Sequence, residues 1–281
     1  MIFCEFLKAL GRINVHLDYP LNTIEAIDNK LMINETCLTF AWPVSIYSQN
    51  PTLIRLTYES EDTMHFVPNF KHKAKYINKI ECNACSSTLL SSKLEWKDLP
   101  GEGWRDMVDC WSCHDNEFLT AKTFQIMLPL PGIGFVGDDY LIMNEADLVS
   151  GHCDCGELIA TREEQHHWRI QKFRLKGFAL DTILCERIWH LIHYEASYNF
   201  LFGNSVWICV VSWKNAYMIC DDHVSKSVNP RNGIKLKWSI EKPNDNRVYE
   251  HVTCSYIPQL LITLRKYKFI EQNIAYIPFE C

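Results

Sequence analysis

Residues 81–90 read ECNACSSTLL: a Cys82-x-x-Cys85 pair, then small polar residues, then two leucines. Such a pair is a redox couple, half of a metal site, or two neighbouring structural thiols. A thioredoxin-type pair opens a helix after a strand in a βαβ unit. The polar CSSTLLSS that follows Cys82-Asn-Ala does not have that form. The choice therefore rests on which other cysteines can join the pair.

The chain has 13 cysteines, and six of them fall between positions 82 and 155: Cys82, Cys85, Cys110, Cys113, Cys153 and Cys155. His114 and His152 stand beside two of these. Zinc takes four ligands in a tetrahedron, and soft thiolates suit it. Two thiolates from one tight turn share an ion when a second turn supplies the rest. Two segments offer that second turn. Cys110-x-x-Cys113 lies in a helical pattern, which spreads its thiols rigidly. HCDCG, with Cys153 and Cys155, follows a predicted strand and has Gly156 after the second thiol. Glycine lets the chain turn its amides toward the sulfurs. The preferred set is Cys82, Cys85, Cys153 and Cys155, with His152, Cys113, His114 and Cys110 as alternates. With all four positions taken, a zinc there is structural. The other seven cysteines are scattered singly among apolar segments and read as core residues.

Composition narrows the class. Over 281 residues the hydrophobic fraction is 47%, the charged fraction 22% and the net charge −6. These are values of an ordinary globular chain with a sizeable core. Acidic balance argues against a phosphate-gripping nucleic-acid binder. No apolar run reaches the roughly 18–20 residues of a membrane span, and the start lacks a basic, cleavable leader pattern. A cytoplasmic or nuclear location is expected, where reduced thiols favour metal over disulfides.

Local patterns give an α+β chain. RINVHLDYP, KLMINETCLTFAWP, LIRLTYES and MHFVPN read as strands ended by turn residues, and so does DYLIMN at 139–144. FALDTILCERIWHLIHYEAS, 178–197, reads as an amphipathic helix with Ile183, Leu184, Ile188, Leu191 and Ile192 inward. NFLFGNSVWICVVSW and AYMICDD read as a hairpin. A polar, basic stretch at 226–247 reads as a surface loop around a short strand, IKLKWSI. A helix is expected after Pro258 and a last strand in NIAYIPFEC. The expected architecture is a β-rich, zinc-pinned N-terminal half, 1–165, with a tent-like antiparallel sheet. A mixed helix and antiparallel-sheet half, 166–281, packs on it.

LPGEGWRDMVDCWSCH, 99–114, places Trp104, Met107, Val108 and Trp111 at helical spacing. Its tryptophans read as core anchors or as partner-binding residues together with His114. Cys113 reads as a helix end, a metal ligand or a nucleophile. Neither an H-E-x-x-H nor an H-x-E with P-C-x-x-C is present, which disfavours a zinc hydrolase or deaminase.

In order, CNAC (82–85), LPGEGWRDMVDCWSCH (99–114), FVGDDYLIMN (135–144) and CDCGELIA (153–160) resemble the HECT-like ubiquitin-conjugating-enzyme-binding family. The resemblance is strongest over 80–160. It implies a protein that binds a ubiquitin-conjugating enzyme and promotes ubiquitin transfer as a ubiquitin-protein ligase, with Cys113-His114 its most chemical part. A fungal branch of that family implies the alternative: a non-catalytic, zinc-stapled assembly factor for pre-mRNA 3′-end cleavage and polyadenylation, contacting the endonuclease or its associated subunits. The paired cysteines here are C-x-C, where the family pattern has C-x-x-C. No segment matches the mobile catalytic lobe of a true HECT ligase. The 9 tryptophans and 12 tyrosines suit a binding surface. Neither nucleic acid nor membrane is expected as a direct partner.

Overall fold

The structure, a computed structural model, describes residues 1–7, 10–58, 77, 79–90, 94–99, 129–163, 167–220, 226–227, 231–268 and 273–279. The first strands are β1 (Ile2–Leu7), β2 (Arg12–Leu17), β3 (Ile24–Ile27), β4 (Lys30–Ile33), β5 (Thr36–Thr39), β6 (Val44–Asn50) and β7 (Leu53–Tyr58). Then come β8 (Glu95–Asp98), β9 (Ile133–Val136), β10 (Tyr140–Asn144), β11 (Ala160–Glu163) and β12 (His167–Gln171). A 3-10 turn (Lys172–Arg174) leads to helix α1 (Leu180–Glu195). The chain ends through β13 (Asn199–Phe202), β14 (Val206–Cys220), β15 (Lys226–Ser227), β16 (Arg231–Ser239), β17 (Glu250–Val252), helix α2 (Ile257–Lys266) and β18 (Ile274–Pro278). Among the described residues none of the helices is long and apolar enough to cross a membrane.

The chain divides into two compact units. One joins Met1–Asn69 to Tyr198–Glu280, and the other is Phe70–Ser197. The boundary expected at 165/166 falls inside the second unit. The physical reason is non-local pairing: β1 lies antiparallel against β14, Ile2 opposite Cys220, so the two ends of the chain share a sheet.

In the first unit a nine-stranded sheet runs β17-β13-β14-β1-β2-β7-β6, with β16 against β14 and β18 against β16. A four-stranded sheet runs β15-β5-β4-β3. Strict alternation along β2, β4 and β7 sends Ile13, Val15 and Leu17, then Leu31 and Ile33, then Ile54 and Leu56 into one cluster with Leu38 and Phe40. Each such fully buried side chain contributes about 1.5–3 kcal/mol. β1 has no alternation because both of its faces are covered. Ile2, Cys4 and Phe6 join that cluster, while Phe3 packs on Tyr276, ring centroids 4.6 Å apart. On the same side as Phe3, the buried Glu5 carboxylate meets Lys235 Nζ at 2.8 Å and accepts from the Tyr276 hydroxyl at 3.1 Å.

β14 is a single 15-residue strand with two register shifts against β16. Its hairpin partner is β13, and AYMIC, 216–220, continues β14 instead of returning beside it. β16 is also longer than the expected IKLKWSI. The expected strand forms, but it starts earlier, at Arg231, and lies between β14 and β18 with Ile234 and Leu236 fully buried, inside the sheet and not at the surface.

The second unit contains a five-stranded sheet, β11-β12-β10-β9-β8, antiparallel except for the β8–β9 pair. Helix α1 forms where expected, and the five residues read as inward are all buried. Its burial is not confined to one face: every residue from Asp181 to Ile188 is buried. Asp181, Glu186 and Arg187 are therefore buried charges, which are tolerated only with partners. The segments 64–69 and 100–114, expected as a strand and a helix, lie outside the described residues.

Candidate metal centre

Two small loops bring the four preferred cysteines together. In the first, a bridge between Glu81 and Thr88 closes the loop, and Cys82 bridges Leu175. The Cys82 amide donates to Ser87 O at 2.9 Å and the Ser86 amide to Cys82 O at 2.9 Å. In the second, His152 bridges Leu158. The Cys153 amide donates to Glu157 O at 2.9 Å and the Gly156 amide to Cys153 O at 2.8 Å. In each loop the residue after the second cysteine has a left-handed backbone: Ser86 at φ 62° and Gly156 at φ 88°. That bend turns main-chain N–H groups onto sulfur. The Ser87 N–H serves Cys85, the Cys155 N–H serves Cys153, and the Glu157 N–H serves Cys155. Amide donors of this kind orient thiolate ligands and hold their charge.

Arg174 ties both loops to the framework. Its carbonyl accepts the Asn83 N–H at 2.9 Å, and its guanidinium meets Glu157 at 2.6 Å. The Lys176 amide donates to Glu81 O at 2.9 Å, extending the same edge. Neither Arg174 nor Glu157 nor Ser87 was legible as a supporting residue, because none carries a spacing signal.

The sulfurs converge. Cys82 Sγ lies 3.8 Å from Cys155 Sγ, and Cys85 Sγ lies 3.4 Å from Cys153 Sγ. All four sulfurs fall within 4.8 Å of one another. A tetrahedron with Zn–S bonds of about 2.3 Å has S···S edges of about 3.8 Å. The Cys82–Cys155 separation equals that edge, the Cys85–Cys153 separation is about 0.4 Å shorter, and both are far beyond the about 2.05 Å of a disulfide. All four are free thiols, Cys82 and Cys153 buried, Cys85 and Cys155 exposed.

Electrostatics favour a cation at the centre. The Ser87 hydroxyl and N–H, followed by contact with Cys153, pull the Cys85 thiol down to about 6. Cys153 is pushed up to about 12: the Cys155 N–H favours its thiolate, but burial and the thiols of Cys85, Cys155 and Cys82 outweigh that donor. Cys155 is also raised; the Glu157 N–H opposes the shift, while contact with Cys85 and burial drive it. The Cys85 sulfur ionises readily, and its charge works against ionisation of Cys153 and Cys155. A divalent cation reverses this, since a coordinating thiol is deprotonated outright. The four cysteines can hold a metal ion, and with four thiolates the coordination is closed.

The alternates fare differently. His152 is exposed, and its ring is not among the mutually close donors; its backbone closes the second loop instead. Cys110, Cys113 and His114 lie outside the described residues, as do Trp104 and Trp111. Among the cysteines read as core, Cys4 and Cys185 are buried, while Cys37, Cys209 and Cys254 are half-buried. Cys209 does not sit in purely apolar surroundings: Arg247 Nη1 lies 2.8 Å from its sulfur.

One relative is an uncharacterized protein of Schizosaccharomyces pombe (strain 972), 31% identical over 154 residues, which are 50% of this chain and 46% of that protein. The match thus spans about half the length of that curated relative. No solved structure matches the chain. The family model described as HECT-like ubiquitin-conjugating enzyme (E2)-binding matches residues 12–250, strands of both units included. The chain belongs to the HECT-like ubiquitin-conjugating-enzyme-binding family.

Proposed function

We propose that this protein binds a ubiquitin-conjugating enzyme and promotes discharge of its ubiquitin, and that Cys82, Cys85, Cys153 and Cys155 hold a structural zinc. The family match over 12–250 carries this reading. The closed four-thiolate geometry supports a structural role, because it leaves no position for water or substrate. The ion then ties 81–88 to 152–158 and stiffens the unit that carries the family's motifs. Any covalent step falls to Cys113. Its thiolate would attack the thioester carbonyl on the charged enzyme, forming a new thioester and releasing the conjugating enzyme's cysteine.

The assay is a single turnover with a panel of ubiquitin-charged conjugating enzymes, run on gels with and without reductant. Accelerated discharge with a reductant-sensitive adduct, lost in Cys113→Ala, supports a thioester-forming ligase. Accelerated discharge that survives Cys113→Ala keeps the conjugating-enzyme partner and removes Cys113 from the chemistry. Neither binding nor discharge, from a zinc-loaded sample, overturns the proposal. The non-catalytic reading, an assembly factor for 3′-end processing, draws on the same closed site. It requires a stable complex with one processing subunit that persists in Cys113→Ala.

A further inference from the structure

A second cluster of donors lies in the same unit, away from the thiols. Helix α1 places Glu186 and His190 one turn apart, at i and i+4, on one face. Facing them is the turn between β9 and β10, residues 137–139. Asp138 Oδ1 lies 2.7 Å from His190 Nδ1. One donor atom each from Asp138, Glu186 and His190 falls within 4.8 Å of the other two.

The turn is held rigidly. The Gly137 amide donates to Tyr140 O at 2.9 Å, and a Cβ at Gly137 would stand 2.6 Å from the Tyr140 ring. Lys172, fully buried, donates from Nζ to the Asp138 carbonyl at 3.0 Å, and its amide donates to Asp139 O at 3.0 Å. The Asp139 carboxylate is taken by Arg187 at 2.6 Å. These contacts position Asp138 without occupying all of its carboxylate. Its Oδ2 is buried and has no hydrogen-bond partner among the described residues, on a residue only 8% exposed. A buried carboxylate oxygen left without a partner is costly. His190 is 30% exposed in its side chain, so the cluster is open to solvent on that side.

We propose that Asp138, Glu186 and His190 form a second, oxygen- and nitrogen-lined site for a divalent cation. Two carboxylates and a neutral imidazole balance a 2+ charge. Three protein ligands leave positions for water or a substrate oxygen, unlike the closed thiolate site. The donor set suits Mn²⁺, Fe²⁺ or Zn²⁺ and not a soft ion. The opposing account is that the protein's own cations, Lys172 among them, serve these carboxylates as counter-charge.

The experiment uses the full chain, stripped of loosely held metal with its thiolate site loaded with zinc. Mn²⁺ is titrated in and its free ion followed by electron paramagnetic resonance, with Co²⁺ as a second probe by absorption. Mn²⁺ competes poorly for thiolates. The expected result is one further equivalent bound per chain. Glu186→Gln and His190→Ala should each weaken it by at least about tenfold while zinc stays at one per chain. Retained zinc and an unchanged circular-dichroism spectrum show that those variants fold. No binding of either probe at millimolar concentration overturns the proposal and leaves the protein's own cations as the counter-charge. Binding of equal strength in wild type and both variants overturns it too, as an adventitious ion.

Discussion

Removing one thiolate from the cysteine centre should loosen the unit that carries it. Cys155→Ser is the cleanest perturbation. Cys155 is exposed, so its loss acts through ligation and not through a packing void. The Cys82–Cys155 and Cys85–Cys153 contacts join positions 73 and 68 residues apart. Treating the ion as a cross-link over a loop of about 70 residues, the chain-entropy relation gives about 4.4 kcal/mol at 25 °C. For a urea slope of about 2 kcal/mol per M, the midpoint falls by about 2 M. Structural zinc sites release more than this on binding, so the figure is a floor for the chelator-stripped wild type and an upper figure for Cys155→Ser if the three remaining thiolates keep the ion. The assay is urea unfolding of wild type, of wild type stripped with a chelator, and of Cys155→Ser. Released zinc is counted with a chromogenic chelator, and amide exchange is read in β9–β12 and α1. Cys37→Ser, half-buried outside the cluster, is the control. A wild type that retains no zinc, or a Cys155→Ser midpoint equal to wild type, refutes the reasoning.

Two further outcomes follow from the packing. Glu5 is buried in β1; desolvation opposes its ionisation, but Lys235, Asn14 and Tyr276 together hold its carboxyl below the usual carboxylate range. A depressed folded pKa stabilises above the unfolded value of about 4.3, and the contribution is lost as pH falls through the folded value. Glu5→Gln should therefore cost about 3–5 kcal/mol at pH 7, as for breaking a buried pair. The gap to wild type in thermal or urea unfolding should shrink below about pH 4; a gap constant from pH 7 to acid would sink the idea. At Gly151 an added Cβ would meet the Ala160 backbone oxygen at 2.6 Å, and the Gly151 carbonyl already accepts from the Ile159 and Ala160 amides. Gly151→Ala should cost about 1–3 kcal/mol by overpacking and speed zinc release to a chelator, since it displaces the second cysteine loop. Unchanged release kinetics would disconnect that loop from the β11 edge.

The chain's own pattern was enough for about half of the local elements; KLMINETCLTFAWP, read as one strand, is the β4–β5 hairpin. The alternation in β2, β4 and β7 was readable because a half-buried strand stamps its period on the sequence, and α1 was readable because its apolar residues Ile183, Leu184, Ile188, Leu191 and Ile192 recur at helical spacing, although its charged residues are buried too. The cysteine loops were readable for the same reason: a short C-x-x-C and a C-x-C-G are local turns whose geometry needs few neighbours. β1 left no period because it is buried on both faces, and the division of the chain into units left none because it depends on β1 pairing with β14 more than 200 residues away. Asp138 likewise has no sequence signal linking it to Glu186 and His190, about 50 residues later. Local chemistry fixes which turns and periods form. Which of them meet is a matter of long-range pairing, and that is settled only when burial of apolar surface outweighs the entropy of closing the loops between them.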